Sequence, residues 1–146
     1  MSRGPPTARL DRLLANMGYG SRREIGMMAN AGWITLDGAS VADVSERQVL
    51  TSDFPARLLI KGQPLDPLPG VAIMTHKPLG VTCSRKEAGG LIYDLLPDRW
   101  RIREPALSTV GRLDKATSGL LLMTDDGDLL HRIISPKSHV TKRYVV

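Results

Sequence analysis

Two groups of residues in this 146-residue chain are placed to do chemistry. The first is Gly111-Arg112-Leu113-Asp114-Lys115-Ala116-Thr117-Ser118-Gly119, which runs into the apolar stretch Leu120–Met123. Arg112 and Asp114 stand two apart, so on a strand they would share one face. A carboxylate beside a guanidinium stays ionised at neutral pH, and an ionised carboxylate can serve as nucleophile or base. Taken alone, an aspartate between glycines is better read as a structural turn residue. The second group is Arg9, Arg12, Arg22 and Arg23. Ser21, with Glu24 three residues on, makes a capping box and puts Arg22 and Arg23 in the first turn of a helix. Free backbone N–H groups, a favourable dipole and two forked cations there suit a phosphate. A solvated basic face accounts for the same composition about as well.

Other residues with chemical potential carry less. His131 and His139 have no cysteine or second carboxylate at metal-ligand spacing. Asp125, Asp126 and Asp128 surround Gly127, but the remaining ligands of a calcium loop are missing. No metal is expected. Cys83 lies in an apolar stretch and reads as buried and inert. Between Arg132 and Arg143 the charges are Arg132, Lys137, Lys142 and Arg143, with no acid. Such a run is a solvated face or a contact for an RNA backbone.

The elements that must hold these groups follow from periodicity and turn chemistry. Leu10, Leu13, Leu14 and Met17 make one helical stripe, with Arg9, Asp11, Arg12 and Asn16 off it. Gly18 and Gly20 end that helix. In the second helix Ile25, Met28 and Ala29 face inward and Gly32 is the stop. Trp33–Leu36 reads as a strand, Asp37-Gly38 as a hairpin turn and Ala39–Val44 as its return. Residues 45–57 carry no clear signal. Leu58–Ile60 with Lys61-Gly62 reads as a further strand and turn. Pro64, Pro67 and Pro69 mark a stiff extended linker. Beyond it, Val71–Met74 reads as a buried strand and Lys77–Gly80 as a turn. Val81–Cys83 reads as a strand, Leu91–Leu96 as a short helix or turn, and Leu120–Thr124 as a strand. Asp128–Ile134 reads as a helix with Leu129, Leu130, Ile133 and Ile134 inward. Lys142–Val146 reads as the start of a strand. The expected domains are a disordered tail over 1–8, a small module over 9–65, a linker over 66–70 and a second domain over 71–146.

Bulk properties agree with a polyanion-binding protein inside the cell. The net charge is +5, aromatics make up 4% and apolar residues 42%, so the core is aliphatic. One cysteine rules out an intrachain disulfide and fits a reducing, cytoplasmic setting. The N-terminus lacks the apolar run of a signal peptide, and no apolar stretch is long enough for a membrane span.

Residues 9–65, with Arg9-Leu10-Asp11, Gly18, Ser21-Arg22, Gly32 and Asp37-Gly38, resemble the small RNA-binding domain of the ribosomal-protein S-four type. Gly26 and Met27 depart from its usual alanine-rich second helix, and Gly26 weakens that helix by about 1 kcal/mol against alanine. The segment Gly111–Gly127 closely resembles the signature of the pseudouridine synthases. His76-Lys77-Pro78-Leu79-Gly80-Val81-Thr82-Cys83-Ser84 is similar to that family's opening strand and turn, where asparagine is more usual than His76. Leu59–Leu65 matches the junction between its domains. Ser135–Tyr144 resembles its Lys-x-Tyr motif, with a Ser-Pro-Lys-x-His-Val lead-in most like members acting on small-subunit (16S) ribosomal RNA.

The resemblance implies an α+β chain: a helix-helix-hairpin RNA-binding module, then an incomplete mixed, mostly antiparallel sheet with peripheral helices. It implies isomerisation of a uridine to pseudouridine without cofactor, by a monomer whose partner is ribosomal RNA and no membrane. Asp114 is then the catalytic aspartate. Arg112 fills the space the flipped base leaves or holds a phosphate, and Tyr144 packs against the uracil. Arg9, Arg12, Arg22, Arg23, Lys77, Lys142 and Arg143 contact RNA. In the family the sheet continues past Lys-x-Tyr, so a chain ending at Tyr144-Val145-Val146 is expected to be C-terminally truncated. An inactive RNA-binding fragment and an enzyme acting on 23S ribosomal RNA are the alternatives.

Overall fold

The structure, a computed structural model, describes residues 3–86 and 89–146. It divides into two compact units. The first runs to Leu68 and includes Ile102–Glu104; the second takes Pro69–Arg101 and Pro105–Val146.

In the first unit, β1 (Thr7–Arg9) leads directly into α1 (Leu10–Asn16), followed by α2 (Arg22–Asn30). Leu10, Leu13, Leu14 and Met17 are all buried, as their spacing requires. The two helices end in the same way. Gly18 N–H bonds to Ala15 O and Tyr19 N–H to Leu14 O; Gly32 N–H bonds to Ala29 O and Trp33 N–H to Met28 O. This paired closure needs a left-handed residue, which Gly18 (φ +87°) and Gly32 (φ +75°) provide. At the start of α2, Ser21 Oγ accepts the Glu24 N–H at 3.1 Å, the half of the capping box that the serine supplies. Ile25 and Ala29 are buried, Met28 packs against the same core and Met27 faces out.

Next come β2 (Ile34–Leu36), β3 (Ala39–Ser40), β4 (Arg47–Val49), α3 (Phe54–Arg57), β5 (Leu58–Ile60) and β6 (Gln63–Pro64). The antiparallel sheet has the order β3-β2-β5-β6. Asp37-Gly38 and Lys61-Gly62 both hold two successive positive φ angles, the turn whose twist suits a two-residue hairpin. Two expectations need correction. Residues 1–8 are not wholly without structure, because β1 pairs with β4 in the register Thr7↔Val49 to Arg9↔Arg47. Residues 45–57, silent in sequence, hold β4 and α3, and Phe54 from α3 is buried in the core. A three-residue strand whose partner lies some forty residues away leaves no local period to read.

In the second unit, β7 (Ala72–Lys77), a 3-10 turn (Ile92–Leu95), α4 (Asp98–Arg101), β8 (Ser108–Val110), β9 (Gly119–Thr124) and α5 (Gly127–Ile134) follow in order. The sheet is antiparallel in the order β7-β9-β8. Its inward face brings Leu121, Met123 and Ile73 against Cys83, Ile92 and Leu107. The opposite face leaves Met74 78% and Leu120 65% exposed. Val71–Met74 therefore belongs to a strand covered on one side, not to the fully buried strand expected. Val81–Cys83 forms a single bridge, Thr82↔Leu91, in place of a strand. Asp126 caps α5 by accepting the Asp128 and Leu129 N–H groups. Leu129, Leu130 and Ile133 are half-buried, but Ile134, expected inward, is exposed. Lys142–Val146 is not a strand: among the described residues no strand pairs with it. Among the described residues no helix is long and apolar enough to cross a membrane.

Gly26 lies inside α2, its φ is not positive, and a Cβ built there meets nothing within 4 Å. Gly26→Ala is therefore expected to stabilise the chain by about 0.5–1 kcal/mol, through lower unfolded-state entropy and better helix propensity. Urea unfolding measures it.

Candidate active site and basic surface

The Asp114 segment connects β8 to β9 and is a loop, not a strand, so Arg112 and Asp114 do not share a strand face. A turn closes over it, with Thr117 N–H bonding to Asp114 O at 2.9 Å. Three residues of the segment 77–83 tie its backbone down. Gly80 N–H donates to Lys115 O at 2.8 Å. The Lys77 ammonium donates to Thr117 O at 2.7 Å and to Pro78 O at 3.0 Å. Cys83 Sγ lies 3.5 Å from both the N–H and the carbonyl of Leu113. Leu113 packs toward the core, while Arg112 and Asp114 on either side of it are exposed. Among the described residues no hydrogen bond or ion pair engages the Asp114 carboxylate. The arrangement is a fixed backbone carrying a solvent-facing carboxylate, which can meet a substrate as nucleophile or base.

Lys77, expected among the RNA-contacting cations, is fully buried. Its alternation with Ile73 and Thr75 on the inward face of β7 was the available signal. Cys83 is buried as expected, but its sulfur bonds to the backbone of the Asp114 loop. Tyr144, Lys142 and Arg143 are exposed in a segment without regular structure. Among the described residues no hydrogen bond or ion pair links them to the Asp114 loop.

On the first unit the basic residues gather around Asp11, which sequence periodicity placed off the buried stripe but which is 6% exposed. Its carboxylate accepts from Arg9 Nε at 3.2 Å, Arg9 Nη2 at 2.9 Å and Arg12 N–H at 2.8 Å. Arg22 Nη2 approaches it at 3.4 Å. The Arg9 hydrogen bonds hold the Asp11 carboxyl below the usual carboxylate range, against the desolvation that opposes it. Arg9 and Arg22 thus spend part of their charge on Asp11, while the Arg12 and Arg23 side chains stand exposed. Among the described residues no group of three or more metal-ligating side chains comes together.

Residues 71–146 match the family model described as RNA pseudouridylate synthase. That stretch is just over half of the chain, and it carries the Asp114 loop and the three residues that tie it down. The chain belongs to the RNA pseudouridylate synthase family. It is 41% identical over 140 residues to "Uncharacterized RNA pseudouridine synthase YtzG" of Bacillus subtilis (strain 168), covering 94% of this chain and 56% of that protein. It is 34% identical over 143 residues to "Ribosomal large subunit pseudouridine synthase B" of Escherichia coli (strain K12), covering 94% of this chain and 48% of that one. The Yersinia pestis protein of the same name is also 34% identical, with 44% of its length covered. The chain thus spans about half the length of the curated relatives it matches. A solved structure titled "Crystal structure of pseudouridylate synthase" aligns with a TM-score of 0.43 and 30% identity, over 90% of this chain and 54% of that one.

Asp11 carries a testable consequence. A carboxyl depressed in the folded state contributes stability that is complete above its unfolded value and lost as pH falls through the folded one. Asp11→Asn is expected to cost about 1–3 kcal/mol at neutral pH. The gap to the unsubstituted chain should close as pH falls below about 4, where the unfolded carboxyl protonates. Denaturant unfolding across that range measures both effects.

Proposed function

We propose that the protein isomerises a uridine of ribosomal RNA to pseudouridine, with Asp114 as the catalytic aspartate. The observation that carries this reading is a carboxylate that is exposed and, among the described residues, unpaired, on an anchored loop within the stretch that matches the family model. The reaction breaks the N-glycosidic bond, turns the uracil and joins its carbon to the ribose, so atoms balance without a co-reactant. Asp114 begins it by attack on the sugar or by removing a sugar proton. The target base must first leave its stack. Arg112, exposed one residue beyond Leu113, then fills the vacated space or holds a phosphate. Tyr144 packs against the uracil face.

Residues 9–65 act in this reading as the RNA-binding module and 71–146 as the N-terminal part of the catalytic domain. Arg12 and Arg23 offer their full charge to phosphate, while Arg9 and Arg22 offer what Asp11 leaves. Lys142 and Arg143, exposed beside Tyr144, add backbone contacts. A lone cysteine supports a cytoplasmic setting. The Ser135–Val140 segment favours small-subunit RNA as the substrate. A large-subunit substrate is the second reading, favoured by the names of the Escherichia coli and Yersinia pestis relatives.

Carbodiimide–primer extension on both ribosomal RNAs tests the assignment. The expected result is one new pseudouridine stop, in small-subunit RNA, that disappears with Asp114→Asn while RNA affinity changes only a few-fold. A stop in large-subunit RNA selects the second reading. Asp114→Asn with substantial activity removes Asp114 from its role, and RNA binding without any stop leaves a binding fragment. Replacing Arg22 and Arg23 together with alanine should weaken RNA binding and flatten its salt dependence by about 1–2 counterions. An unchanged slope in a filter-binding titration returns these residues to a solvated face.

A further inference from the structure

Tyr19, Trp33 and Phe54 are the aromatic residues of the first unit. Phe54 is buried in the core. Tyr19 packs against that core, and its hydroxyl accepts the Asp66 N–H at 2.9 Å. Both serve the fold. Trp33 is 43% exposed and does not join the core.

The register of the sheet puts it there. Ile34 pairs with Ile60, and the Lys61 N–H donates to Trp33 O at 2.8 Å. Trp33 and Lys61 therefore stand opposite each other, one step beyond that pair. Ile34 is buried, and neighbouring strand residues point to opposite faces, so Trp33 lies on the outward face. The Lys61 ammonium sits over its ring, 3.9 Å from the centre.

Charge marks what this pair can take. At the other end of β2 the Arg57 guanidinium is closed onto Asp37, with Nε at 2.9 Å and Nη2 at 2.8 Å. Lys61 has no carboxylate partner among the described residues, so its charge is left for an anion. A cation over an exposed ring adds little to stability, and the hairpin turn at Lys61-Gly62 needs no ring beside it. A planar π surface next to a cation with charge to spare matches one nucleotide of single-stranded RNA. The base stacks on the ring surface that Lys61 leaves uncovered, and the ammonium meets the phosphate. A base inside a duplex is already stacked on its neighbours and offers no free face.

We propose that Trp33 and Lys61 form a stacking site for one unpaired nucleotide of RNA. The proposal rests on the reading of residues 9–65 as an RNA-binding module. It adds a contact made through a base to the phosphate contacts of Arg12 and Arg23, and with it a preference for single strands.

Binding of the full chain to a short RNA of adenosine and cytidine alone, which offers the Asp114 loop no uridine, is compared with binding to the same strand annealed to its complement. Trp33→Leu should weaken the single-strand complex by about tenfold and the duplex complex by less than about twofold, because only the first loses a stacked base. Trp33→Phe, which keeps a π face, should retain most of the affinity. Lys61→Gln should lower the salt slope for the single strand by about one counterion. The single strand should also quench tryptophan emission in the unsubstituted chain and not in Trp33→Leu, whose remaining indole is Trp100. Should Trp33→Leu not fold, Trp33→Phe decides by the same loss of quenching. Unchanged single-strand affinity in Trp33→Leu, equal losses on strand and duplex, quenching that survives removal of Trp33, or an unmoved slope in Lys61→Gln would each overturn the proposal. RNA binding that needs Arg22 and Arg23 but not Trp33 overturns the stacking site alone. No RNA binding by the unsubstituted chain overturns the module reading and the stacking site with it.

Discussion

β9 is hydrogen-bonded along both edges, and the candidate active site depends on that double pairing. β7 pairs with all six of its residues, from Lys77↔Gly119 to Ala72↔Thr124. β8 pairs only with its far half, Val110↔Leu122 to Ser108↔Thr124. The near half, Gly119–Leu121, has no β8 residue beside it, and the loop that carries Asp114 leaves β8 and re-enters the sheet there. The register therefore brings the end of β7 alongside the end of that loop. Lys77 reaches Thr117 because Lys77 stands opposite Gly119.

Two buried charges are handled in opposite ways. Asp11 is met by guanidinium groups from Arg9 and Arg22, and its carboxyl is held low by them. Such a pair orders the surface around it, because the arginines can reach the carboxylate only from fixed positions. Lys77 is met by two backbone carbonyls, which accept from its ammonium without cancelling its charge. A carbonyl is part of the chain, so the ammonium fixes a loop where Asp11 fixes side chains. Each solution suits its place: arginines on one unit present charge outward, and a lysine on the other holds a backbone from within.

The open face of the second sheet follows from the same alternation. Leu121 and Met123 turn to the core, so Leu120 and Met74 turn away from it and stay exposed. The segment after α5 adds no strand to cover or extend that sheet. Tyr144 is exposed in that segment, and among the described residues no hydrogen bond or ion pair links it to the Asp114 loop.

Much of this was determined by sequence alone. The stripe from Leu10 to Met17, the Ser21 cap, the glycine stops and the Asp37-Gly38 turn are local devices, each readable because its cause lies within a few residues. The Asp114 motif was legible for a different reason: its residue types and order resemble a known signature. Tertiary structure decided what depends on distant partners. β1 and β4 exist only as a pair, so neither showed in its own segment. Lys77 reads as a surface cation until β7 takes its register and turns it inward. Asp11 sits off the apolar stripe and is buried all the same, because Arg9 and Arg22 bring the charge that makes burial tolerable. Lys142–Val146 has a strand's composition without a strand's neighbour, and a strand is defined by the backbone groups of the chain beside it.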